Sequence, residues 1–109
     1  MAYVRAWFWA FLFTQMVEVP IYWAGLRVGI LPALGASAIT HPILWFVIFP
    51  HLHLPYGWLI VIGESFAVLV EAAYFAWVFR RPRALLWSLA ANGASFGLGM
   101  LSRHLFGVP

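Results

Sequence analysis

A chain of 109 residues that is 65% hydrophobic, 19% aromatic and only 8% charged cannot hide its apolar surface in one small water-soluble core, because small domains leave much of their surface exposed. The net charge of +3 rests on six arginines and no lysine, and their dispersal between apolar runs argues against a nucleic-acid partner. The absence of cysteine rules out disulfides, thiolate metal sites and thiol nucleophiles.

These bounds predict an all-α membrane protein: one integral membrane domain over 1–109, built as a four-transmembrane-helix bundle with antiparallel neighbours. The first span is expected at 6–26, between Arg5 and Arg27. As a helix that run would measure about 31 Å, enough to cross a hydrocarbon core. It continues into Gln15, Glu18 and Pro20 without a small-residue cleavage site, so it reads as a retained helix and not as a removed signal. The second span, 31–49, holds Pro42 near its middle, where a kink is expected. The third, 56–79, stops at the cluster Arg80, Arg81, Pro82 and Arg83, and the fourth occupies 84–102.

Arg27, Arg80, Arg81 and Arg83 flank the first and third connections, against Arg5 and Arg103 beside the termini. The positive-inside rule therefore places both termini on the non-cytoplasmic side, with a bacterial inner membrane as the expected location. The second connection, HLHLPYGW, has no arginine and is rich in interfacial residues. Its His51 and His53 are candidates for cation capture at the outer mouth.

All three acidic residues, Glu18, Glu64 and Glu71, fall inside expected spans. An ionisable residue at a helix centre costs about 2.5 to 3.5 kcal/mol on the insertion scale, so carboxylates confined to apolar sequence are functional candidates by default. Glu64 and Glu71 lie two helical turns apart on one face, with Tyr74 a turn beyond. Similar stripes run through Thr14, Glu18, Tyr22 and Gly25 in the first span, with Gln15 alongside, through Ser37 and His41 in the second, and through Ser88, Asn92, Ser95 and Gly99 in the fourth.

Counting from the span ends brings Glu18, His41, Glu64, Glu71 and Asn92 to a common layer about 10 Å thick. These five are the expected ion- or proton-binding residues, supported by Gln15, Tyr22, Ser37, Tyr74, Ser88 and Ser95. No lysine or arginine shares their depth, so the charge must be met by protons, a bound cation, water or a partner's basic residue. A divalent metal is the candidate cofactor, with Glu64, Glu71 and His41 as its ligands.

Gly93 and Gly97 form a GxxxG surface, and with Gly99 they are expected to serve helix packing or self-association. The expected function is cation- or proton-linked transport, with the lipid bilayer and further copies or other membrane subunits as partners. The alternatives are an accessory or assembly subunit of a larger membrane complex and, less favoured, an intramembrane enzyme with a glutamate as general base.

Overall fold

A computed structural model describes residues 1–107. They form four helical rods joined by short turns: α1 Ala2–Leu26, α2 Ile30–His51, α3 Tyr56–Val78 and α4 Ala84–Phe106. No strand occurs among the described residues. The first rod begins before the expected span and the last runs past its expected end, because helix continues through Arg5 and Arg103 until Gly107 adopts the left-handed conformation at φ 70°.

Among the described residues three helices, α2, α3 and α4, are long and apolar enough to cross a membrane. Helix α1 has the length, with 25 residues, but Gln15, Glu18 and its many Trp and Tyr residues reduce its hydropathy, and it does not join them. The surface is dominated by exposed apolar side chains, among them Leu31, Trp77, Leu69 and Phe106, while Glu18, Ser37, Thr40, Glu71, Ser88 and Asn92 are buried. That is the reverse of the usual soluble distribution.

Prolines and π-turns shape the rods. Pro42 lacks an N–H and its ring presses on the preceding turn, and the α2 backbone widens into a π-helical turn at Leu44–Ile48 ahead of Pro50. The distortion expected at Pro42 thus takes the form of a π-turn just beyond it. Helix α3 ends in a second π-turn, Tyr74–Val78. There the Arg81 N–H reaches the Phe75 carbonyl at 3.0 Å, one residue wider than the usual Schellman closure.

Two arginines occupy left-handed positions, Arg27 at φ 56° and Arg80 at φ 54°. Such backbone costs a non-glycine residue about 1 kcal/mol or more. The Arg81 side chain offsets it by fastening both turns together. Its Nε donates to the Leu26 carbonyl at 2.9 Å, Nη1 to Phe79 at 2.9 Å and Nη2 to Arg27 at 3.4 Å. One guanidinium thus serves the C-terminal carbonyls of two helices, which also suits the negative ends of their dipoles. Arg81→Ala is expected to lower stability by about 1–2 kcal/mol in detergent unfolding, and Arg81→Lys to recover little, since an ammonium cannot reproduce the planar fork.

Helix α1 packs against α2 and α4, and α3 packs against the same two. The rods therefore neighbour one another in the cyclic order α1, α2, α3, α4. At the end carrying the arginine turns, Tyr22, Leu26, Val28, Ala33, Ala36, Phe75, Ala84 and Ala91 form a closed apolar core. The alanines let the backbones approach, and the Tyr22 and Phe75 rings fill the centre at 4.4 Å between centroids.

Glycines set two further crossings. A side chain at Gly25 would run into the Trp87 ring, and one at Gly35 would lie 2.5 Å from the Tyr74 hydroxyl. Gly25→Ala is accordingly expected to cost about 1–3 kcal/mol through overpacking. The cost should shrink in a Gly25→Ala, Trp87→Leu double variant, as read by thermal unfolding.

Candidate functional site

Helical periodicity puts a polar residue from every rod on the inner face at one depth. Helix α1 supplies Glu18 and Tyr22, α2 supplies Ser37 and Thr40, α3 supplies Glu71, and α4 supplies Ser88, Asn92 and Ser95. Glu18 and Glu71 are each only 1% exposed, so their oxygens depend on the protein for hydrogen bonds.

The protein provides them fully. Glu71 accepts from the Tyr22 hydroxyl at 2.5 Å and the Asn92 amide at 3.2 Å through Oε1, and from the Thr40 hydroxyl at 2.7 Å through Oε2. Glu18 accepts from Ser37 at 2.8 Å through Oε1 and from Ser95 at 2.6 Å through Oε2. The supporting contacts are consistent with this proton inventory. Ser88 gives its hydroxyl proton to the Val68 carbonyl at 2.8 Å, and Asn92 has its second N–H for the Ser88 carbonyl at 3.0 Å.

All five donors to the two carboxyls are neutral. Both carboxyls are buried in the same polar layer, and neither is bonded to a basic side chain among the described residues. Two like charges in so dry a layer would repel strongly.

The other expected members stand apart. His41 Nε2 shares a hydrogen bond with Thr14 Oγ1 at 3.2 Å, its Nδ1 is buried without a partner, and its ring lies beside Phe11 and Trp45. It touches neither glutamate. The reason is rotational: Ser37 and Thr40 take the inner face of α2, which turns His41 toward α1. Gln15 is spent on the Leu34 carbonyl at 3.0 Å, and Tyr74 donates to the Pro32 carbonyl at 3.0 Å. Glu64 accepts no hydrogen bond among the described residues and faces open space.

Glu64, Glu71 and His41 consequently do not assemble as metal ligands. Among the described residues no three His or acidic side chains gather closely enough to hold an ion. His51 is exposed and bonds back to the Val47 carbonyl at 2.6 Å, while His53 is exposed in the following turn. The expected glycine surface divides. Gly99 faces Phe13 of α1 at 3.7 Å, whereas Gly93 and Gly97 have open space before them.

Thr40 is the member that sequence reasoning misses. It lies one turn from Ser37 on the same face, and that spacing is the available signal; the adjacent His41 is the more conspicuous residue but points elsewhere.

A cleft of about 890 Å³ leads to the pair. Its lining runs from Arg5, Tyr56 and Arg103 at the end carrying the chain termini, past Glu64, to Glu18, Thr40, Glu71 and Asn92. Beyond this layer Tyr22 and Phe75, both 0% exposed, occupy the section and the apolar core begins. The lining of the cleft reaches the carboxyl pair and does not include Tyr22 or Phe75. The chain matches no family model, no curated protein and no solved structure.

Proposed function

We propose that the chain is a four-helix membrane bundle that moves protons or a cation, using the Glu18–Glu71 pair as the binding element at the floor of the cleft. The observation that carries this reading is a cleft that reaches two buried carboxyls with no basic partner among the described residues. A purely structural polar cluster has no need of an access path. A carrier does need one, and access from one side at a time is what alternating transport requires.

The arginine distribution gives the direction. Arg27, Arg80, Arg81 and Arg83 lie at the packed end, which the positive-inside rule assigns to the cytoplasm. The cleft then faces the non-cytoplasmic side of what we take to be a bacterial inner membrane. Transport to the other side requires the Tyr22–Phe75 section and the turns fastened by Arg81 to separate.

Purified protein in liposomes tests the reading. A proton or cation gradient should dissipate through the wild type and persist when Glu18, Glu64 and Glu71 are all replaced by Gln. Equal flux in the two preparations sinks the proposal.

A second reading has one observation in its favour. Gly93 and Gly97 leave an open small-residue strip on the outside of α4, suited to close approach by another helix. It supports an oligomer, or an accessory subunit seated in a larger complex. Recovery of the chain only in stoichiometric association with other proteins would favour that role over independent transport.

A further inference from the structure

The three carboxyls of the cleft differ in what they have left to offer. Glu18 and Glu71 already accept five hydrogen bonds between them. Glu64 accepts none among the described residues, yet it lines both the large cleft and a second cavity of about 330 Å³ beside it. An unpartnered carboxyl on the wall of two adjoining spaces is the group a ligand meets first.

Its surroundings narrow the ligand. Trp45, Phe49, Tyr56 and Phe96, drawn from α2, α3 and α4, line both spaces together with Glu64. A dehydrated divalent ion needs about six oxygen ligands, and in the smaller cavity Glu64 is the one carboxyl, set among mostly aromatic and aliphatic walls. A bare proton has no use for an aromatic enclosure. Aromatic faces with a single carboxylate instead suit a cation whose charge is diffuse and whose body is apolar, because ring quadrupoles and one ion pair act on it together. Arg103 lines both spaces nearer the helix end and Arg5 lines the large cleft there, so the cation must reach past two arginines to place its charge at Glu64.

We propose that Glu64 is the ligand-facing carboxyl of the cleft and that its ligand is an organic ammonium ion with an apolar body, enclosed by Trp45, Phe49, Tyr56 and Phe96. The assignment takes the cleft's role as a cation site from the preceding reading and adds the class of cation. It also divides the work: Glu64 receives the ligand, and the Glu18–Glu71 pair below holds the proton.

The test uses the full chain in lipid nanodiscs and equilibrium dialysis of benzyltrimethylammonium. Benzyl alcohol serves as the neutral comparator, and sodium and magnesium chlorides as the inorganic ones. Saturable binding is expected to weaken by about tenfold or more in Glu64→Gln and by several-fold in Trp45→Leu, as loss of an ion pair and of a cation–π face imply. Glu64→Asp should retain most of the affinity, and circular dichroism should report an unchanged helical fold.

Equal binding by Glu64→Gln overturns the assignment, as does displacement of the ammonium by benzyl alcohol or magnesium at equal concentration. Should Glu64→Gln fail to fold, Trp45→Leu and Phe96→Leu decide the question by the same criterion. Glu64-dependent binding in a protein that passes no charge across liposomes upholds this assignment and removes the transport reading. Glu71-dependent flux without ammonium binding does the opposite.

Discussion

Replacing Glu71 by Gln should reduce proton or cation flux in liposomes by at least about tenfold while leaving the protein folded, because an ionisable group at this depth is retained for its charge. The amide has nearly the volume of the carboxyl and still accepts from Tyr22 and Asn92 through its oxygen. Its NH₂ would meet the Thr40 hydroxyl, which now donates to Glu71 but lies 3.3 Å from the Ala36 carbonyl on its own helix. Thr40 can turn its proton to that carbonyl and accept from the new amide. Folding therefore survives, and loss of flux isolates the missing charge. If Glu18 and Glu71 act as one proton-sharing unit, the double variant Glu18→Gln, Glu71→Gln should be scarcely slower than either single variant, as with other groups that work together. Effects that multiply would separate the two carboxyls into independent sites.

Tyr22→Phe should produce the largest loss of stability of any single-atom change, about 3 kcal/mol, the range for depriving a buried charged group of a partner. The ring stays packed on Phe75, so no cavity forms and the effect belongs to the hydroxyl. That hydroxyl is 2.5 Å from Glu71 Oε1, and the carboxyl is 1% exposed, so no bulk water replaces it. Denaturant titration in mixed micelles measures the cost. In a Glu71→Gln background the same change should cost less than half as much, because the lost bond is then between neutral groups. An equal cost in both backgrounds would show that the contribution of the Tyr22 hydroxyl does not depend on a charge at Glu71.

Much of the site is legible in the sequence. The confinement of Glu18, Glu64 and Glu71 to apolar runs follows from order along the chain, and the grouping of Ser88, Asn92 and Ser95 follows from the helical repeat. Tyr22 and Ser37 are recognisable for the same reason. His41 is one exception, beside Gln15, Glu64 and Tyr74, because Ser37, Thr40 and His41 are neighbours on α2 with slightly different headings, and the sequence does not say which heading faces the centre. Counting residues from span ends locates a depth but not an azimuth. Gly93 and Gly97 show the same gap: their spacing marks one surface, and only packing leaves that surface outside while Gly99 meets Phe13.

The sequence by itself determined that the chain is helical, that its outside is apolar, and that its acids belong to the interior, since composition and periodicity are properties of each segment alone. The tertiary structure decided which acids are held by hydrogen bonds, which one lines the cavities without one among the described residues, and that a cleft reaches them. Those outcomes depend on the rotation and offset of each helix against its neighbours. They are set by contacts between distant residues, such as Gly25 under Trp87, Gly35 under Tyr74 and Arg81 across two turns, and by π-turns whose extra residue re-aims everything beyond them.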